Sequence, residues 1–562
     1  MAEIKLFTKY VDNSEVPKDI MNVFNKKLIG LILFILPIIG FAQKDSPYRK
    51  LKGANSKARA SIDIKSYLIT LKVIPEKHYI AGINDIGFKT IKPIKVLQLD
   101  LFSNLAISNI VFENKTLSYT RDSNTFYVYL PRKLKKNDTA HVLVYYSGNP
   151  VQAKKAPWDG GFVWAKDSAG KPWVGLACEG LGASCWLPCK DHWSDEPEQV
   201  TMNLVVPTGL TGVSNGRLVR QRNLNNGFTE FQWHVSYPIN HYNISVNIGD
   251  YGHIQDLYLN ESYGNLTLDY YVLKQNLATA KIHFQQTKRM LQTFEKYFGP
   301  YPFINDGYKL VETPFWGMEH QSCIAYGNNY VNNKFGFDFI IIHESGHEWF
   351  ANSLTANDKA DMWLHESFTT YSEALYVEKQ FGINRGVQYL AGQKGNIKNE
   401  LPMIGPRNIA YNRPDNDIYY KGTWILHTMR NIIDNDTLWF NTIYDLSALY
   451  KYSILSSKDV ETFISKRTGY NFNMFFQQYL YQAKLPVFEY FIKQNNGLNE
   501  LHYRLNADVR GLELPVKITL AKNKFEFVTA AKKWQIIDLP FENPDDFKID
   551  LNHFLVGVKK LK

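Results

Sequence analysis

The chain has 562 residues, 45% of them hydrophobic and 21% charged, with a formal charge of +10 and four cysteines. That length exceeds what one hydrophobic core holds and calls for several domains, while the ordinary apolar fraction excludes a disordered chain. The basic residues are scattered among 54 acids rather than gathered in a stripe, which argues against nucleic-acid binding.

In chain order, Lys26 and Lys27 precede an apolar run from Leu28 to Ala42 that closes on Gly40-Phe41-Ala42. Small residues at those two closing positions suit a signal peptidase, and the run is short of the roughly 20 residues a membrane-spanning helix needs. Residues 1–42 therefore read as leader and signal peptide, with Gln43 as the mature amino terminus. The expected location is outside the cytoplasm: periplasmic, cell-envelope or extracellular, with no stable membrane span after signal cleavage. Export permits a disulfide among Cys178, Cys185, Cys189 and Cys323, with the pairing open.

Residues 43–255 are expected to form an amino-terminal antiparallel β-domain. Period-two stretches such as Ile69–Val73, Leu97–Leu101 and Val142–Tyr145 read as half-buried strands. Near 275 the period changes: Ala280, Phe284, Leu291, Phe294 and Phe298 share a helical face that Gly299-Pro300 ends. Helical patterns then dominate to about 482, within a second domain expected over 256–486, and Ser456 with Asp459 predicts a capped helix start. Alternation returns over 487–562, for example at Val516–Leu520, predicting a small carboxy-terminal β-domain. The fold class is multidomain α+β.

The catalytic segment carries His343-Glu344-Ser345-Gly346-His347. Histidines at i and i+4 share one helix face and can grip one ion, with the glutamate beside it. A catalytic zinc site needs three protein ligands, and Glu366, on the next predicted helix, supplies the third. Glu373 lies two turns further along the same face, where it could accept a ligand histidine's spare ring N–H. His365 has no such support and reads as structural.

These residues resemble the gluzincin aminopeptidases, the family of aminopeptidase N and leukotriene hydrolase. Trp316-Gly317-Met318-Glu319-His320 resembles that family's Gly-Ala-Met-Glu-Asn exopeptidase motif, and Tyr419-Tyr420-Lys421-Gly422 its Tyr-x-Lys-Gly motif. Tyr297–Phe303, Pro238–Tyr251 and Phe475–Pro486 resemble further family segments, so the likeness covers roughly residues 60–490. The resemblance implies a thermolysin-like, mainly helical catalytic domain and one zinc ion per chain, held by His343, His347 and Glu366. It implies Glu344 as the general base, Tyr419 as the hydrogen-bond donor to the oxyanion, and Glu319 as anchor of the substrate's α-ammonium. Gly317 and Met318 are expected to offer backbone to the peptide, and Glu179 to occupy the place of a second amine-binding residue. Tyr420 is expected to pack. Trp316 and His320 depart from the family's Gly and Asn. The implied activity is removal of amino-terminal residues from peptides with a free amino terminus. The alternatives are a thermolysin-type endopeptidase, against which Glu319 argues by closing the cleft's end, and a catalytically dead peptide-binding relative.

Overall fold

The computed structural model describes residues 52–410, 416–495, 498–521 and 524–562, all within one unit spanning Tyr48–Lys562. The apolar run at 28–42 lies outside them. Among the described residues no helix is long and apolar enough to cross a membrane.

The amino-terminal half is built on an eight-stranded sheet that contains the strands Ile62–Ile74 and Thr139–Gly148, with smaller sheets packed beside it. Alternation along Ile62–Ile74 puts Ile69, Leu71 and Val73 in the core while Leu68 points outward. The sheet is not purely antiparallel: Ile62–Ile74 pairs parallel with Gln199–Pro207, Tyr67 lying opposite Val200. Period-two hydrophobicity reports which face is buried and is blind to strand direction, so the sequence could not reveal this.

The strand Tyr251–Tyr258 opens a five-stranded mixed sheet ordered Tyr251–Tyr258, Leu266–Leu273, Tyr308–Glu312, Ile324–Tyr326, Gly317–Met318. Gly317–Met318 is therefore an edge strand, paired antiparallel with Ile324–Tyr326 through Gly317 opposite Tyr326. The helical stripe read near 280–298 is two helices, Leu277–His283 and Gln286–Phe298. Ala280, Phe284, Leu291, Phe294 and Phe298 are all buried, so the apolar stripe runs through the break.

Helices Phe339–Gly346, Trp363–Phe381 and Tyr420–Ile433 carry the His343–His347, Glu366 and Tyr420–Gly422 segments and form the helical core of this region. Ser456 caps the helix Ser457–Thr468 in a complete capping box with Asp459, as its spacing predicts. The chain then enters a four-stranded sheet containing Val487–Asn495 and Leu498–Asn506, and the hairpin of Leu514–Ala521 with Lys524–Ala530. All four cysteines are buried free thiols, so the disulfide that export would permit is not formed.

Candidate active site

Asp338 accepts a hydrogen bond from the Ile340 amide at 3.0 Å and caps the helix Phe339–Gly346. One turn apart on it, His343 and His347 bring their Nε2 atoms within 3.3 Å of each other. Glu366, in the first turn of Trp363–Phe381, places Oε2 3.5 Å from each Nε2. A tetrahedral ion with bonds of about 2.0–2.1 Å has ligand–ligand edges of about 3.3–3.4 Å. The three buried atoms thus form one face of a zinc-sized tetrahedron, with nitrogen and carboxylate donors of the type zinc takes.

The rings are oriented from behind. His343 Nδ1 lies 2.7 Å from Glu373 Oε1, which fixes the tautomer and leaves the Nε2 lone pair facing the ligand triangle. Glu373 Oε2 in turn accepts from Tyr389 Oη and, at 3.3 Å, from Gln393 Nε2. His347 Nδ1 lies 3.0 Å from both the Phe350 carbonyl and Thr369 Oγ1. Thr369 follows Glu366 on the same helix, a positional hint that its spacing carried and that sequence reading passed over.

Glu344 points at the edge strand. A Cβ on Gly317 would lie 2.6 Å from Glu344 Oε1, so only glycine lets the carboxylate approach the backbone there. Burial pushes Glu344 up to about 7, against the pull of His343 and His347. Glu319 ends the strand. Its Oε1 accepts from Tyr242 Oη at 3.0 Å and its carbonyl from Asn352 Nδ2 at 2.9 Å. Burial raises the Glu319 carboxyl too, opposed by His347. Tyr242 sits on a short helical turn, His241–Asn243, far from Glu319 in sequence, which hid its role. Met318 and Glu179 line the same cleft, and the Glu179 carbonyl accepts from Lys359 Nζ at 2.7 Å.

Tyr419 immediately precedes the helix Tyr420–Ile433, its ring 6.0 Å from that of His343. The glycine of its motif has a packing reason: a Cβ on Gly422 would meet Ser367 Oγ at 1.7 Å. The helix therefore closes tightly against the one bearing Glu366, and Ser367 Oγ donates to the Ile418 carbonyl at 2.7 Å beside Tyr419. Lys421 is buried, and its ammonium donates to the Ala483 carbonyl at 2.7 Å. Tyr420, expected to pack, is half-buried and lines the cleft beside Tyr419.

His365 is buried, accepts from the Ala356 amide at 2.9 Å and stacks on Trp193 at 5.0 Å. Burial holds it down at about 3, so it is a neutral structural group. His320 is likewise buried and neutral, also held at about 3. His343, Glu344, His347, Glu366, Glu373, Gly317, Met318, Glu319, Glu179 and Tyr419 all line one cleft of about 700 Å³. It contains an ion-sized ligand triangle, a buried glutamate beside it, a buried carboxylate just past the end of an edge strand, and a phenol ring near His343. Such a set suits hydrolysis of an extended peptide near its amino end.

Residues 282–479 match the model of the peptidase family M1 domain. Among curated proteins, the leucyl aminopeptidase of Saccharolobus solfataricus is 21% identical over 368 residues, 61% of this chain and 46% of that protein. Aminopeptidase B of Mus musculus is 27% identical over 249 residues, 42% of this chain and 35% of its own length. The chain spans less than half the length of these relatives. Among solved structures, a mutant M1 zinc metallopeptidase of Deinococcus radiodurans bound to a Tyr-Ser-Ala substrate superposes with a TM-score of 0.66. That match has 20% identity and covers 75% of this chain and 95% of the other, a likeness of fold.

Proposed function

We propose, from a chain whose residues 282–479 are a peptidase family M1 domain, that it is a zinc-dependent aminopeptidase releasing amino-terminal residues from peptides. The observation that carries this reading is the strand's end: buried Glu319 follows the edge strand Gly317–Met318 in the same cleft as the ligand triangle.

His343, His347 and Glu366 are the residues that would hold one zinc ion per chain. When bound, zinc supplies Lewis acidity to the scissile carbonyl and lowers the pKa of water at the site. The chain's own groups do the rest. Gly317 and Met318 offer an open strand edge, so an extended peptide adds beside them by main-chain hydrogen bonds. Glu319, steadied by Tyr242 and joined by Glu179, receives the α-ammonium and fixes which peptide bond lies beside the ligand triangle. Glu344 takes a proton from the attacking water and delivers it to the departing amine. Tyr419 donates its phenolic proton in a hydrogen bond to the oxygen that gains charge. A thermolysin-type endopeptidase needs the chain to continue past Glu319, where a buried carboxylate faces it instead.

A panel of aminoacyl fluorogenic amides should be hydrolysed, silenced by a chelator and restored by stoichiometric zinc. Turnover that survives complete removal of metal, checked by elemental analysis, sinks this reading.

The composition of residues 26–42 supports export as a second proposal. In a Gram-negative host the mature chain should begin at Gln43 and fractionate outside the cytoplasm. An intact mass that retains the apolar run refutes signal cleavage.

A further inference from the structure

Two large aromatic side chains stand half in solvent at the mouth of the cleft. Trp158 is 50% exposed and Trp316 is 43% exposed, with ring centroids 6.1 Å apart. Trp316 stacks on half-buried Phe339 at 5.5 Å, and Phe339 stacks on His343 at 5.3 Å. The rings form a row that begins at a metal-ligand histidine and runs outward to the solvent, and all of them line the cleft.

The row is held firmly. Trp316 Nε1 donates to Asn328 Oδ1 at 3.0 Å, and Asn328 Nδ2 donates to Asp338 Oδ1 at 2.9 Å. Asp338 is the residue that caps the helix bearing His343 and His347. The Trp316 indole is thus tied to the end of the metal-binding helix. Trp158 reaches in from the amino-terminal half, with the Lys155 ammonium 5.8 Å from its ring centroid. If the pair served only to join the two halves, it would be buried as Phe315 is at 7% exposure, where Gly175 leaves room for its ring.

Strand geometry gives the row its occupant. A peptide lying antiparallel to Gly317–Met318 with its amine at Glu319 advances about 3.3 Å per residue in the direction of Trp316. Its first residue lies beside Glu319 and Met318, its scissile carbonyl at the ligand triangle, and its next residues beside Gly317 and Trp316. We infer that Trp158, Trp316 and Phe339 form an aromatic clamp for a bulky apolar side chain just downstream of the scissile bond, making this a determinant of specificity. The inference rests on the aminopeptidase reading, which sets the direction of the peptide, and adds a preference on the leaving side. Aromatic side chains pair edge-to-face or offset with such rings, and each covers indole area that otherwise faces water.

The test uses the zinc-loaded chain and three peptides with the same first residue: Leu-Gly-Gly, Leu-Phe-Gly and Leu-Gly-Phe. At least one phenylalanine peptide should exceed Leu-Gly-Gly in kcat/KM by about 10-fold or more, the scale of one buried aromatic contact. That ratio should fall toward one in Trp316→Ala and in Trp158→Ala, and survive in Trp316→Phe. Trp158→Ala removes a half-exposed side chain, so it keeps the test open if Trp316→Ala fails to fold. Equal cleavage of all three peptides by the native chain, or a ratio unchanged in the folded variants, overturns the clamp while leaving the aminopeptidase. Failure to cut any of them overturns the aminopeptidase reading, and the clamp with it.

Discussion

Replacing Glu344 by glutamine should leave zinc in place and reduce kcat by about 10²–10⁴-fold, the range attached to a positioned general base. The substitution preserves volume and removes only the ability to accept a proton, and Glu344 belongs to none of the three edges of the triangle formed by His343, His347 and Glu366. Metal content measured alongside activity separates this from loss of a ligand: Glu366→Ala should lose stoichiometric zinc, because two ligands remain where three are needed. Tyr419→Phe should keep zinc and lower kcat by about 10²–10³-fold, as removal of one oxyanion donor does. The pH profile carries the same assignment. Glu344 works ionised, so activity is present above its pKa and lost as pH falls through it. Burial pushes that value up to about 7, and a bound dication pulls it back. The acid limb of kcat/KM should therefore fall no higher than that raised value. Full turnover by Glu344→Gln, or an acid limb that the substitution leaves in place, overturns the assignment.

What the sequence could reveal follows from how local each feature is. His343 and His347 share a face because of helical period alone, and Glu366 and Glu373 repeat the argument on the next helix, so their convergence on one triangle and one ring N–H was readable. Tyr242 beneath Glu319 and Trp158 beside Trp316 come from segments distant in sequence, and no periodic pattern announces them. Gly422 was visible only as part of a motif. Its reason, the Ser367 hydroxyl where a Cβ would stand, exists only once two helices pack. Strand direction was also closed to the sequence, because the parallel pairing of Ile62–Ile74 with Gln199–Pro207 buries the same residues an antiparallel one would. The split of the helix at 284–285 was masked for a similar reason: Phe284, in the break itself, stays in the core in line with Ala280 and Leu291.

A peptide with a free amino terminus should be shortened one residue at a time, and its N-acetylated twin should be nearly inert. The difference comes from charge. Glu319 is 5% exposed, and Tyr242 Oη is its side-chain donor at 3.0 Å. A substrate ammonium adds a charge-assisted hydrogen bond of about 1.5–3 kcal/mol to a carboxylate that burial has already made costly to ionise. An acetylated terminus brings an amide in place of that charge and leaves the carboxylate poorly compensated. The direction of the Glu319 shift fits this account: burial penalises the carboxylate's charge, and an arriving ammonium offsets that penalty. Glu319→Ala should lower kcat/KM for the free peptide by roughly 10–100-fold, the rate equivalent of that energy. It should lower the acetylated peptide's rate far less, so the ratio between the two substrates narrows. The loss belongs in both kcat and KM, because the ammonium contact both binds the peptide and sets which carbonyl meets the ligand triangle. Product mapping by mass spectrometry reads the outcome directly. Internal cleavage of the acetylated peptide by the native chain, at rates near those of the free one, would make it an endopeptidase and remove Glu319 from the role of amine anchor.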